Sequence, residues 1–194
     1  GKLPLDVVAL VRVVWGAARS GAIIVEKVGG KVASRGEALA GGGVSGPSIP
    51  LQSKLTPEME LKILSGQRVD NTNRIIGGHS PNINDANLNY AVETISINPD
   101  GTRVLKFTTQ LEDGSLSKLK TSTLFPEGWT DQNIIESINK IGNSLPIGKR
   151  VSTGETLYRG IVNGVEIDVI RKGGEITAGY PVGGKPTPGF SPIK

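Results

Sequence analysis

Residues 90–110 read YAVETISINPDGTRVLKFTTQ, and their period decides the architecture. In the first arm Ala91, Glu93, Ile95 and Ile97 alternate with Val92, Thr94 and Ser96. In the second, Val104, Lys106 and Thr108 alternate with Leu105, Phe107 and Thr109. Side chains that change face at every residue describe half-buried strands, and Asp100-Gly101 between them is a hairpin turn.

The same grammar continues downstream. A second Asp-Gly at 113–114 leads into a strand over about 118–125. Residues 156–162 and 165–170 flank Asn163-Gly164 as another hairpin, and Gly173-Gly174 precedes a last strand over 175–180. Two segments instead carry helix signals. Thr56-Pro57-Glu58 supplies a cap, a first-turn proline and an acid at the positive dipole end, with Gly66 as the stop, so a helix is expected over 57–65. Thr130-Asp131 followed by Ile134, Ile135, Ile138, Ile141 and Gly142 describes a three-turn amphipathic helix. Short helices followed by an antiparallel sheet define an α+β class without internal repeats.

Upstream, the apolar clusters of residues 1–28 are interrupted by Asp6, Arg12 and Arg19. These runs are far short of the about 20 residues of a membrane-spanning helix, and no signal-peptide pattern is present. A helix that needs a partner surface is expected there. Residues 29–53 hold seven glycines and two prolines and read as a linker, 54–183 as the main domain, and 184–194 as a flexible tail. The chain starts without methionine, as expected of a fragment of a longer protein.

Composition narrows the chemistry. The 194 residues suit one domain with an appendage, and the 27 glycines favour turns and short strands over long helices. With no cysteine and one histidine, thiolate nucleophiles, disulfides, cysteine-ligated zinc and multi-histidine metal sites are excluded. A net charge of +4 mildly favours an anionic partner. The Gly-x-x-x-x-Gly-Lys-Ser/Thr run and the serine-esterase elbow are absent. The polar run from Asn82 to Asn89 lacks the spacing of a calcium loop, so no metal and no cofactor are expected.

His79 follows Ile75-Ile76-Gly77-Gly78, where glycines let the backbone turn sharply. It is either a general acid or base on a shaped loop, or an ordinary turn residue. Lys118, Lys120 and Ser122 share one face of their expected strand, which is either a phosphate site or a solvated face that discourages edge pairing. Between 140 and 172, six basic residues, Lys149, Arg150 and Arg159 among them, stand against three acidic ones, as an RNA-tracking stripe or an ordinary mixed surface. Thr177 and Tyr180 offer a hydroxyl and a phenol near the end of the last strand, for base stacking or for core packing.

Gly77-Gly78-His79, Thr123-Leu124-Phe125-Pro126 with Trp129-Thr130-Asp131, Asn163-Gly164-Val165, and Ile176-Thr177-Ala178-Gly179-Tyr180-Pro181 occur in one order. Over about residues 74–183 this set resembles the bacterial EndoU-type ribonuclease domain, found as the C-terminal toxin of contact-dependent growth inhibition effectors of the CdiA type. The resemblance implies an EndoU-like sheet of the barnase–EndoU–colicin–RelE group. It also implies metal-independent cleavage of RNA, with tRNA the expected target, to a 2′,3′-cyclic phosphate. By position, His79 matches a family histidine, Tyr180 the late tyrosine and Thr177 the nearby hydroxyl.

Three departures stand out. The family's second histidine is missing, leaving Lys118, Lys120 or Tyr180 to complete the acid–base pair. Ser122 stands where the family has lysine, with Lys120 two residues earlier as its substitute, and the Thr-to-Tyr spacing is one residue longer. The expected catalytic set is thus His79, Lys120, Ser122, Thr177 and Tyr180, with Ser80, Lys118, Thr123, Lys149, Arg150 and Arg159 on the substrate.

The resemblance further implies that residues 1–28 end a pretoxin segment. The protein would be secreted as part of a larger cell-surface effector, delivered into the target cytoplasm without a stable membrane span, and neutralised by a cognate immunity protein. A host activating factor stays unspecified. The competing expectation, kept open by the missing histidine, is a non-catalytic RNA- or protein-binding module on a secreted scaffold.

Overall fold

The computed structural model describes residues 52–194; the apolar segment 1–28 and all but the end of the expected linker lie outside the described residues. The element order is α1 (Pro57–Ser65), β1 (Gln67–Arg68), β2 (Ile75–Ile76), β3 (Tyr90–Ile97), β4 (Arg103–Thr109), β5 (Lys120–Leu124), α2 (Asp131–Gly142), β6 (Gly148–Arg150), β7 (Glu155–Val162), β8 (Val165–Lys172), β9 (Glu175–Pro181) and β10 (Ser191–Pro192). The class is α+β. The strands form a three-stranded sheet β3-β4-β5, a five-stranded sheet β10-β6-β7-β8-β9 and the small pair β1-β2, all antiparallel.

Both helices start where their caps place them. Thr56 accepts the Met59 amide at 3.2 Å and Thr130 that of Asn133 at 3.1 Å. The expected alternation in β4 is observed, with Leu105 and Phe107 fully buried and Lys106 exposed. Two cores result. One joins Leu105, Phe107 and Leu124 of the three-stranded sheet to Ile75, Ile83 and Tyr90. The other seats Ile134, Ile138 and Ile141 of α2 on Val165, Ile167 and Val169 of β8, with Ile63 of α1 joining. Each buried isoleucine stabilises by about 2 kcal/mol.

The helix comes so close to β9 that a Cβ on Gly179 would lie 2.8 Å from Ile138 Cδ1, so only glycine fits there. In the same C-terminal half of the helix and at its cap, Asn139 and Asn143 accept the Leu55 and Ser53 amides at 3.0 and 2.8 Å, tying the chain before α1 to α2.

Three features differ from the sequence expectation. One sheet was expected, but the hairpins divide between two sheets that meet where β5 contacts β9. The strand expected from about 118 begins at Lys120, because Lys118 directs its amide out of the sheet to the Asn73 carbonyl at 2.7 Å. Residues 184–194, expected as a flexible tail, are hydrogen-bonded: Ser191 and Pro192 pair with Lys149 and Gly148 of β6.

Candidate active site

The site lies at the meeting of the two sheets. The C-terminal carbonyls of α1 accept the loop that carries the histidine: Lys62 O, which also takes the capping Gly66 N–H at 3.0 Å, takes Gly78 N–H at 3.0 Å, Ile63 O takes His79 at 2.8 Å and Leu64 O takes Ser80 at 3.1 Å. Gly77 and Gly78 have φ of 77° and 79°. A Cβ on Gly77 would lie 2.0 Å from Lys62 O, and one on Gly78 would lie 2.8 Å from the Phe107 ring. The Gly-Gly pair is therefore needed to lay the loop against both helix and core.

The half-buried His79 ring is held through Nδ1, 2.9 Å from Thr123 O and 3.1 Å from Ser122 Oγ. A carbonyl only accepts, so Nδ1 carries the proton. Ser122 spends its own proton on Gly78 O at 2.7 Å and presents its oxygen to the same Nδ1–H. Nε2 is then the unprotonated nitrogen. Burial lowers the His79 pKa to about 4 against a smaller opposing effect of the Thr123 carbonyl, and the Lys120 and Lys62 charges lower it further. The imidazole is neutral at pH 7 and has the form a general base requires.

Two cavities flank the ring, of about 460 and 420 Å³, and His79, Lys120 and Tyr180 line both. Ser122, Thr123 and Lys185 line the first, and Lys62 the second. Among the described residues no carboxylate lines either one. Burial lowers the Lys120 pKa, with the Arg74 charge adding to the effect, and burial lowers that of Lys62. Lys62 Nζ donates to Thr177 O at 2.8 Å. The Tyr180 ring lies 5.8 Å from the imidazole, tilted by 39°. Burial pushes the Tyr180 pKa up, as does the Asp168 charge, so the phenol keeps its proton at neutral pH.

His79, Lys120, Ser122, Thr123 and Tyr180 are thus brought together. The remaining sequence candidates line neither cavity. Thr177 turns its hydroxyl to Ile170 O at 3.3 Å and contributes only its carbonyl, to Lys62. Ser80 is buried and donates to Asp131 Oδ1 at 2.5 Å at the start of α2. Lys118 is exposed ahead of β5, and Lys149 is exposed on β6. Arg150 pairs with Glu155 at 3.2 Å and Arg159 with Asp168 at 2.7 Å, so these two members of the expected basic stripe are engaged by carboxylates within the sheet.

Lys62, Lys185, Asp168 and Thr187 were not singled out by the sequence. Lys62 reads as a last-turn basic residue of α1, and only the apposition of that helix with β9 reveals its place.

A half-buried neutral histidine flanked by ammonium groups, in an α+β domain whose cleft has no carboxylate among its described lining residues, has the layout of a nuclease that attacks a phosphodiester. The family model described as Bacterial EndoU nuclease matches residues 57–183, and the chain belongs to that family. No curated protein and no solved structure matches it. No helix among the described residues is long and apolar enough to cross a membrane.

Proposed function

We propose that this nuclease domain is an antibacterial toxin that cuts RNA by transphosphorylation. The supporting observation is the cleft itself: three lysines and one neutral histidine, with no carboxylate among the described lining residues. Such a lining attracts a polyanion and stabilises added negative charge at phosphorus.

In this reading His79 Nε2 takes the 2′-hydroxyl proton while Nδ1–H stays on Thr123 O. The 2′-oxygen then bonds to phosphorus, and the Lys120 ammonium stabilises the phosphorane. The 5′-oxygen leaves with a proton from Lys120 or Lys62, giving a 2′,3′-cyclic phosphate and a 5′-hydroxyl. Lys118 lines neither cavity, and the Tyr180 proton is directed to Thr187 at 2.5 Å. The missing second histidine is thereby replaced by an ammonium group. Tyr180 serves as a platform for a base or ribose.

A tRNA is the proposed target. An acidic immunity protein that occludes the basic cleft is the proposed partner, and delivery into a target cell as part of a larger secreted effector is the proposed setting. Total bacterial RNA incubated with the chain in EDTA tests the reading. Fragments with cyclic-phosphate ends, absent with His79→Ala, are expected. Intact RNA that is nevertheless bound would contradict it and favour the binding module.

A further inference from the structure

The family match ends at residue 183, yet the chain beyond it returns to the site. At Gly183 and Gly184, with φ of 59° and 78°, it reverses so tightly against β5 that a Cβ on Gly183 would lie 2.9 Å from Asn98 Nδ2 and 3.0 Å from Thr123 Cγ2. The strap then crosses the face of the five-stranded sheet opposite α2. It is secured by Arg150, whose guanidinium covers the Phe190 ring at 4.3 Å and donates to Gly189 O at 3.3 Å, and by the β10 pairing.

Within the strap Thr187 meets a carboxylate that the proposed chemistry does not use. Asp168 is fully buried in β8, between Ile167 and Val169, whose side chains face α2. Its charge is held by Arg159, with Nε to Oδ1 at 2.7 Å and Nη2 to Oδ2 at 3.0 Å. Thr187 Oγ1 donates to Asp168 Oδ2 at 2.7 Å and its amide reaches the same oxygen at 3.4 Å. Tyr180 OH lies 2.5 Å from Thr187 Oγ1. The threonine hydroxyl has one proton, and the carboxylate can only accept it, so the phenol must be the donor to Thr187. The Tyr180 proton is therefore committed to Thr187 and not to His79, and the phenol oxygen keeps its lone pairs for whatever occupies the cleft. The same strap brings Lys185 to the wall of the first cavity.

We infer that the C-terminal strap is a working part of the site, and that Thr187, seated on the Asp168–Arg159 pair, is a positioning residue that fixes the ring and the hydrogen-bond polarity of Tyr180 beside His79. The inference rests on the RNA-cleaving reading given above. Its consequence is that a chain cut at the end of the family match would keep His79 and Lys120 but lose the group that orients the phenol.

The experiment compares RNA cleavage by the full chain with Thr187→Val, Thr187→Ser, Tyr180→Phe and the Thr187→Val/Tyr180→Phe double variant, with thermal melting measured on each. Thr187→Val is expected to lower kcat about tenfold with KM nearly unchanged, while Thr187→Ser stays within about twofold of wild type. In the Tyr180→Phe background Thr187→Val is expected to add less than a twofold loss, because it acts through the phenol.

Wild-type kcat in Thr187→Val would overturn the inference, as would fully independent losses in the double variant. Should Thr187→Val not fold, Thr187→Ser decides: a tenfold loss in a serine variant that melts like wild type would overturn it as well. A wild-type chain that cuts no RNA would overturn the proposed function itself, and this inference with it.

Discussion

Lowering the pH from 7 to 5 perturbs His79 selectively, because it is the only histidine in the chain. In the folded protein its pKa is lowered to about 4, chiefly by burial. In the unfolded chain it returns to about 6.5. Between those values the unfolded state binds the proton more strongly, so stability falls as pH falls through the window, with no contribution above it. Each unit of difference is worth about 1.4 kcal/mol, and pH 5 lies about 1.5 units below the unfolded value, so the loss due to His79 at pH 5 is about 2 kcal/mol.

Urea unfolding of wild type and His79→Gln at both pH values isolates it, since the carboxylates contribute equally to both proteins. Wild type is expected to lose about 2 kcal/mol more than the variant between pH 7 and 5. The single imidazole Cε1–H signal in proton NMR gives the folded midpoint directly. A midpoint near 6.5, with parallel pH dependences of stability, would refute the desolvated, Nδ1-protonated histidine on which the site is built.

Other outcomes follow from the same geometry. The acidic limb of kcat/KM is expected to fall only as pH drops toward about 4, reporting the neutral His79 of the free protein, and a pH–rate profile with a limb near 6.5 would contradict it. Gly78→Ala places a Cβ 2.8 Å from the Phe107 ring at a φ of 79° and should cost about 2–4 kcal/mol in urea unfolding, with activity falling as His79 is displaced. Arg159→Met leaves the fully buried Asp168 without its charge partner, and a loss of about 3 kcal/mol is expected in the same assay, where less than 1 kcal/mol would show that Thr187 alone suffices.

Much of the fold was legible because its signals are local. Asp100-Gly101 and Asn163-Gly164 with period-two flanks mark hairpins, and Thr56 and Thr130 mark helix starts within a few residues of chain. The division into two sheets was not legible, because pairing partners far apart in sequence leave no mark on local period. The short strands β1, β2, β6 and β10, at two or three residues each, are below the length at which alternation can be read.

In the site, Gly77-Gly78-His79 was readable as a shaped loop, and Lys120 and Ser122 as one strand face. Lys62 and Thr187 were not, because one reaches the cleft from a helix and the other backs Tyr180 from a strap after the last long strand. Arg150 and Arg159 were legible only as basic residues, because a sequence does not show the Glu155, Asp168 or Phe190 that engages them.

The central claim is that His79 activates a 2′-hydroxyl beside phosphorus. An oligoribonucleotide spanning a mapped cut, with and without a single 2′-deoxy residue on the 5′ side of the scissile phosphate, tests it most directly. The account predicts cleavage of the all-ribose strand to a 2′,3′-cyclic phosphate and none of the deoxy-substituted strand. Cleavage of both at equal rates would contradict it, because a nucleophile other than the 2′-hydroxyl would then be at work.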